Sequence, residues 1–160
     1  MQDIDKLKRF FFEASLATYA GDGAKTTIAE LPGSHVLRHE TEAYLYVDTY
    51  FVNQHSGISK GFILIWHDGV PVWTMDYCGF CLDKGAIPML KNALAEAYRR
   101  SDFHGGRGMP HVCEGEYQYI NWPRHNNFES FDGRELVVLT GSMGRIVFKH
   151  EYSGGLMTEP

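Results

Sequence analysis

The chain has little cysteine and no long apolar run, and each shortage excludes a class of protein. Three cysteines in 160 residues are too few, and odd in number, for a disulfide scaffold, and they fit a reducing cytoplasm. No run approaches the roughly 20 apolar residues of a membrane-spanning helix, so we expect no membrane association. The N-terminus has acidic residues and no small-residue cleavage site, which predicts the start of a helix and not a signal peptide.

Excess positive charge and familiar catalytic motifs are also missing. Fifteen basic residues against 20 acidic ones give a formal net charge of −5, so direct nucleic-acid binding is not expected. The Gly-x-Ser-x-Gly and His-Glu-x-x-His signatures and the phosphate-binding P-loop pattern are absent from the sequence. Enzymatic activity therefore stays open, and the sequence favours a protein without chemistry.

What is present is a composition typical of one globular domain over residues 1–160. Hydrophobic residues make up 44% and charged residues 22%, which are ordinary values for a soluble chain. Aromatic residues reach 14%, and such residues favour β-strands and the walls of binding pockets.

An internal repeat is the strongest pattern. The segment 69–79 recurs as 144–154, with Gly, Val, Tyr and Gly identical at four matched positions. The segment Tyr44-x-Tyr-Val-Asp48 is similarly echoed by Tyr117-x-Tyr-Ile-Asn121. Order and spacing predict a duplication with halves 1–82 and 83–160, related by a pseudo-two-fold axis. The alternative is that two hairpins resemble each other by chance.

Hydrophobic periodicity predicts the secondary structure. Helices are expected over residues 3–20, with Asp3 as N-cap, and over 87–100. Strands are expected at 35–39, 44–51, 62–66, 70–77, 116–122, 129–131, 135–139 and 145–152, with a tight turn at Asp68-Gly69. Strands that follow strands, with a helix at the start of each half, predict an α+β fold with an antiparallel sheet and two main helices.

Alternation along residues 44–51 separates two faces. Leu45, Val47, Thr49 and Phe51 share one face, which we expect to be the apolar core. Tyr44, Tyr46, Asp48 and Tyr50 share the other, which is aromatic and polar, as in a pocket for a polar small molecule. The alternative is a sheet face that a helix or a second subunit covers. An enzyme that uses Asp48 or Asp76 with a histidine as acid–base pair also stays open.

Arg107 lies in the glycine-rich segment 103–110 and could grip an anion together with backbone amides of Gly105, Gly106 and Gly108. A flexible surface loop is nevertheless the default expectation for this segment. The complete set of candidate ligand-binding residues is Tyr44, Tyr46, Asp48, Tyr50, Arg38, Arg107, Tyr117 and Tyr119.

The pair Cys78-x-x-Cys81 has the spacing of a redox motif or of half a zinc site. Ordinary buried thiols are favoured, since the second helix begins several residues later and His111-x-Cys113 is spaced too tightly for a common second half-site. We therefore predict no metal and no cofactor.

Ordered motifs also carry a family resemblance. They include segment 17–23, Pro32-Gly-Ser34, Tyr46-x-Asp48-x-Tyr50, segment 69–79, Gly115-Glu-Tyr-x-Tyr119 and segments 128–135 and 152–155. Over nearly the whole chain, this looks like an uncharacterised bacterial family that occurs alone or joined to an XRE-type helix-turn-helix DNA-binding domain. The resemblance implies a regulator-associated module that binds a small molecule or a protein partner, or forms a homodimer. The helix-turn-helix segment itself is missing from this chain.

Overall fold

Two α-helices lie where periodicity predicts them. The computed structural model describes residues 3–157, with α1 at Ile4–Ala17 and α2 at Ala86–Arg99. Asp3 caps α1 as predicted, because its side chain accepts a hydrogen bond from the backbone amide of Lys6 at 3.1 Å. After α1 the chain makes a 3₁₀ turn at Tyr19–Gly21. Within residues 3–157 no helix is long and apolar enough to cross a membrane.

Within the described residues 3–157, nine strands form one antiparallel sheet, which confirms the predicted α+β class. They are β1 (Thr26–Ile28), β2 (Leu31–Glu40), β3 (Tyr44–Val52), β4 (Ile58–His67), β5 (Val70–Cys81), β6 (His111–Glu114), β7 (Tyr117–Asn127), β8 (Ser130–Leu139) and β9 (Arg145–Leu156). The spatial order is β1-β2-β3-β4-β5-β9-β8-β7-β6. The turn between β4 and β5 has positive φ at Asp68 and Gly69, 49° and 79°, as a two-residue hairpin requires. The segments 129–131 and 135–139 belong to the single strand β8.

The register at the centre of the sheet has two-fold character. β5 pairs with β9 so that Tyr77 lies opposite Tyr152, its own match in the repeat. Trp73 lies opposite Leu156, and Phe148 lies opposite Cys81. A rotation that exchanges the two repeat segments therefore leaves the pairing unchanged. Below, "first half" means α1 with β1–β5 and "second half" means α2 with β6–β9. Their origin by duplication stays a prediction.

Both helices pack on one side of the sheet, here called the helix face. Phe11 of α1 contacts Trp73 of β5, with ring centroids 5.0 Å apart, and meets Tyr98 of α2 edge-on at 5.8 Å. These rings belong to a single core cluster that joins the helices to β3–β5 and β7–β9. The side of the sheet that points away from the helices is here called the outer face.

The expected assignment of the two faces of β3 is wrong. Tyr46 and Asp48 are buried on the helix face, 2% and 4% exposed. Leu45, Val47 and Phe51 lie on the outer face and are only half-buried, although Thr49 on that side is buried. The strand pattern separates two faces correctly, but the docking of α1 and α2 decides which of them is buried. The aromatic and acidic face is thus the covered one.

Candidate functional site

A cavity of about 740 Å³ lies between the helix face of the first half and the two helices. Its walls come from β3–β5, from α1 and the turn after it, from α2, from Phe148 and His150 of β9, and from Arg107 of the glycine-rich segment. The volume is within the range of pockets that hold small organic molecules. The interior end lies at buried Tyr46 and Asp48, and exposed residues such as Lys25, His55 and Lys84 surround the opening.

Four of the eight residues selected from the sequence line this cavity: Tyr46, Asp48, Tyr50 and Arg107. The other four do not belong to its walls. Tyr44 packs between the rings of Phe10 and His67, and Arg38 forms an exposed ion pair with Glu40. Tyr117 donates a hydrogen bond to Asp83, 2.8 Å, and Tyr119 donates to Glu135, 2.6 Å. The structure therefore brings half of the predicted set together.

Asp48 is the buried acid of the cavity. Its Oδ1 accepts a hydrogen bond from the Tyr77 hydroxyl at 2.5 Å, and within residues 3–157 no hydrogen-bond donor reaches Oδ2. Burial raises the pKa of Asp48 to about 6, although the Tyr77 hydrogen bond and the charge of Arg107 oppose the shift. A buried carboxylate with an unused oxygen that faces a cavity is a recognised mark of a functional site.

Tyr77 reaches Asp48 because β4 carries a glycine opposite it. Gly61 pairs with Tyr77, and a Cβ at Gly61 would stand 2.5 Å from the Tyr77 hydroxyl oxygen. The second half repeats this arrangement with Gly133 beneath Tyr152, where the corresponding distance is 2.4 Å. In both halves the missing side chain lets the tyrosine lie across the neighbouring strand.

The second half holds an amide where the first half holds the acid. Tyr152 donates to Asn121 Oδ1 at 2.6 Å, which matches the Tyr77–Asp48 hydrogen bond. Asn121 Nδ2 donates to the backbone carbonyls of His104 and Gly108, both at 2.9 Å. The glycine-rich segment thus fills in the second half the space that stays open beside Asp48. Asp48 and Asn121, which occupy matched positions of the repeat, therefore have different surroundings.

The glycine-rich segment is packed into the protein, so the expectation of a plain surface loop is wrong. Gly105 and Gly106 adopt positive φ, 64° and 67°, which glycine tolerates without strain. Gly105 N donates to Asn126 Oδ1 and Gly108 N donates to the Tyr119 hydroxyl. These two amides are occupied and do not form the expected anion-binding cradle with Arg107.

Arg107 is held by a buried carboxylate. Its Nε and Nη2 donate to Glu135 Oε1 at 2.8 and 2.5 Å, while Tyr119 donates to Glu135 Oε2. Although burial of Glu135 acts in the opposite direction, the charge of Arg107 and neighbouring hydrogen bonds lower the pKa of this acid to about 2. The ion pair fixes the guanidinium against the cavity wall, 5.4 Å from the centre of the Tyr77 ring.

A polar row crosses the sheet beside the ion pair. Ser59 Oγ lies 2.8 Å from His150 Nε2, and His150 Nδ1 lies 3.6 Å from Glu135 Oε1. The latter distance is too long for a hydrogen bond. Burial lowers the pKa of His150, against the opposing effect of Glu135, so the imidazole is neutral near pH 7. Both Ser59 and His150 line the cavity, and Gly79 between them leaves the space for their contact.

The two-fold relation pairs this polar row with a second row that is mostly apolar, and both rows cross from one half into the other. The two-fold register matches the row Asn121, Glu135, His150, Gly79 and Ser59 with the row Asp48, Ile63, Met75, Gly154 and Phe131. Apart from its first member the second row is apolar. The ionisable groups therefore lie where the halves differ, and each row contributes groups to the same cavity.

Sequence reasoning missed several residues of the cavity wall: Tyr19, Lys25, Ser59, Tyr77, Tyr98 and His150. Tyr77 and His150 lie in the repeated segments 69–79 and 144–154. The strand alternation that selected Asp48 also puts Ser59 and Tyr77 on the same side of β4 and β5, so this signal was available. Tyr19 and Lys25 lie in the connection between α1 and β1. No helix or strand periodicity predicts the direction of their side chains there.

The remaining sequence candidates are the acid Asp76 and the cysteine pair Cys78 and Cys81, and none of them has the position or the pKa that its expected chemistry requires. Asp76 is exposed on the outer face, so it cannot pair with a histidine of the cavity. The expectation that Cys78 is a buried thiol is wrong, because its side chain lies on the outer face and is exposed. Burial raises the pKa of Cys81, whereas a redox-active thiol needs a lowered pKa. Within residues 3–157, no group of three or more potential metal-binding side chains comes together.

Comparison with known proteins connects the site to a family. No curated protein and no solved structure matches the chain. The family described as "Domain of unknown function (DUF5680)" matches residues 48–157, a range that begins at Asp48 and includes Tyr77, Arg107, Glu135 and His150. Since the match covers more than half of the sequence, the chain belongs to the DUF5680 family.

Proposed function

We propose that the cavity of the first half binds a small organic molecule and that the chain serves as a sensing module without chemistry of its own. One observation carries this proposal: Asp48 is buried and ionisable, and its second oxygen faces a cavity of about 740 Å³. Keeping such a carboxylate away from water costs stability, and a ligand that contacts it offsets that cost.

The surroundings of Asp48 support ligand binding over a purely structural role. In the second half the matching position is an amide, and backbone carbonyls satisfy its donors. In the first half the segment after α1 contributes Tyr19 and Lys25 to the wall and leaves the space open. The glycine-rich segment fills the space beside Asn121, whereas the matching space beside Asp48 is open. This difference supports the proposal that the space beside Asp48 receives a group of a ligand.

A regulatory role follows from the family resemblance. The family that the motifs resemble is bacterial and includes members joined to XRE-type DNA-binding domains, so we propose that ligand binding here informs a regulator. We also propose a cytoplasmic location, which the three free cysteines support. A second subunit on the tyrosine face is not favoured, because α1 and α2 of the same chain cover Tyr46 and Asp48.

Blocking the cavity is expected to abolish binding. Val52 lines the cavity, whereas Phe51, its neighbour in β3, points to the outer face. We expect compounds that raise the melting temperature of the wild type to bind Val52→Trp at least about tenfold more weakly, because the indole occupies space near the entrance. Phe51→Trp should bind as the wild type does. A thermal-shift screen followed by NMR titration of each hit measures this. Hits with equal affinity for Val52→Trp would place binding elsewhere, and a diverse library without hits would refute the proposal.

A second candidate function is acyl transfer, which the Ser59–His150 contact favours. A neutral imidazole 2.8 Å from a serine hydroxyl can take its proton during nucleophilic attack. The carboxylate of Glu135 would then stabilise the imidazolium, although at 3.6 Å it does not orient the ring in this state.

Covalent labelling tests this candidate. If Ser59 is a nucleophile, an alkyl fluorophosphonate should add its phosphonyl group to Ser59 Oγ, release fluoride and leave Ser59→Ala unlabelled. Ser153→Ala, which removes an exposed serine on the outer face, is the control. Mass spectrometry that finds no adduct on Ser59 after prolonged incubation excludes the nucleophile and leaves the binding function as it stands.

A further inference from the structure

We propose that the cavity selects small organic ammonium compounds, which are ligands with one cationic nitrogen head and an apolar body, and that the head sits against Asp48 among tyrosine rings. The inference rests on the proposed binding function and goes further by naming the chemical class of the ligand.

Among the buried charged side chains of residues 3–157, Asp48 forms no ion pair, although the charges of Arg107 and Lys25 act on it from a distance. Arg107 directs its two hydrogen bonds to Glu135, so that pair is neutral as a unit. His150 is neutral because burial lowers its pKa. Asp48, with a pKa of about 6, is mostly ionised at pH 7.5 and receives one hydrogen bond from a neutral phenol. A cation beside Asp48 would neutralise the remaining charge in a low-dielectric environment, where the attraction is strong.

Aromatic rings surround this charge. Tyr46, Tyr50 and Tyr77 line the cavity on the sheet side, and Tyr19 and Tyr98 line it on the helix side. Aromatic faces attract cations through the ring quadrupole, and cages of such rings recognise ammonium groups. A neutral or anionic head would gain little from the rings or from the carboxylate.

The chain's own cations already use these rings. Lys25 Nζ lies 5.5 Å from the centre of the Tyr50 ring, and Lys91 Nζ lies 4.9 Å from the centre of the Tyr19 ring. Both distances are within the range of cation–π attraction. The faces of the tyrosines are therefore presented to positively charged groups, and an ammonium ligand would meet the same arrangement deeper in the cavity.

The remaining walls define the rest of the ligand. Ile63, Leu90, Leu94 and Phe148 provide apolar surface, which suits a hydrocarbon or aromatic body. Lys25 and Lys84 are exposed at the opening, and Lys91 is paired with Asp22. A second positive charge at the outer end of the ligand would meet these lysines and be repelled. The site therefore fits one cationic head at the interior end.

Three probes with one body and different heads test the inference. They are 4-phenylbutylamine, which is a cation at pH 7.5, 4-phenylbutan-1-ol, which is neutral, and 4-phenylbutanoate, which is an anion. Binding is measured by NMR titration on the full chain. We expect the amine to bind at least tenfold more tightly than the alcohol, and the anion to bind most weakly.

Variants of the cavity identify which side chains cause the preference for the amine. Asp48→Asn should weaken amine binding at least tenfold and leave alcohol binding unchanged, whereas Asp76→Asn, which removes an exposed acid from the outer face, should change neither. Tyr50→Leu should weaken the amine more than the alcohol, and it provides an independent check of the ring contribution. Val52→Trp should weaken all probes if they occupy the cavity.

The outcomes separate the two proposals. Equal affinity of the amine and the alcohol in the wild type, or the same amine affinity in Asp48→Asn, overturns the ammonium inference while cavity binding stands. Tightest binding of the anion also overturns it and indicates recognition by the lysines at the opening. Binding of none of the three probes at millimolar concentration refutes the inference, and the library screen with Val52→Trp then decides separately on the cavity.

Discussion

Replacing Glu135 by glutamine is expected to lower the free energy of unfolding by about 3–5 kcal/mol. Glu135 is fully buried and accepts hydrogen bonds from Arg107 and Tyr119. The amide keeps the shape but loses the charge, so the guanidinium of Arg107 remains buried without a counter-ion. Equilibrium urea denaturation at pH 7.5 measures the loss.

An exposed ion pair on the same sheet provides the control. Arg124 Nε lies 2.5 Å from Asp132 Oδ2, and the Arg124 side chain is 61% exposed. Asp132→Asn should cost less than about 1 kcal/mol, because solvent screens such a pair. The double variant Glu135→Leu/Arg107→Met should recover much of the loss, since neither charge of the buried pair is left without its counter-ion. If the free energy of unfolding of Glu135→Gln lies within about 1 kcal/mol of the wild-type value, the ion pair does not organise the cavity wall.

Replacing Asp48 by asparagine is expected to have the opposite effect and to stabilise the protein at neutral pH. Folding raises the pKa of this carboxyl from an ordinary 3.8 to about 6. The native state therefore holds the proton more tightly than the unfolded state, and stability falls as the pH rises from about 4 to about 6. Above this window the cost is complete, and a shift of about two pKa units corresponds to about 3 kcal/mol.

Asparagine avoids this cost and keeps the hydrogen bond. The structure contains the precedent, since Asn121 accepts from Tyr152 at 2.6 Å as Asp48 accepts from Tyr77. We expect Asp48→Asn to be more stable than the wild type by about 2–3 kcal/mol at pH 8, with the difference vanishing near pH 4, where both side chains are uncharged. Urea denaturation from pH 4 to pH 8 checks this, with Asp76→Asn as a control whose difference should not follow this profile. A variant less stable than the wild type at pH 8 would contradict the account of Asp48. If Asp48→Asn is more stable than the wild type but no longer binds ligand, it shows the trade-off between stability and function that is expected of a functional site.

Several elements could be predicted from sequence because their causes are local. The apolar spacing of α1 and the cap at Asp3 depend on residues within a turn of each other, and Asp68-Gly69 specifies its hairpin through positive φ. The repeat likewise indicated that Tyr77 and Tyr152 are matched positions. Alternation in β3 correctly grouped Tyr46 with Asp48, because successive side chains of a strand point to opposite faces.

The candidate site could be predicted only in part because its chemistry depends on distant contacts. Arg107 and Glu135 are 28 residues apart, and Ser59 and His150 are 91 apart. Arg107 was selected as an anion-binding group of a loop, and no local pattern indicates that a buried glutamate occupies it. Arg38 was selected too, although it lies at the surface with Glu40.

The sequence by itself determined the two helices, seven of the nine strands of residues 3–157 and the grouping of Tyr46 with Asp48, because these follow from short-range periodicity and turn geometry. The short strands β1 and β6 at the two edges of the sheet were not predicted. Only the tertiary structure decided that α1 and α2 cover the aromatic face, since burial depends on how whole elements pack. It also decided that the glycine-rich segment fills the space beside Asn121 and leaves the space beside Asp48 open. That difference between two matched positions depends on contacts between segments far apart in the chain, which no local pattern encodes.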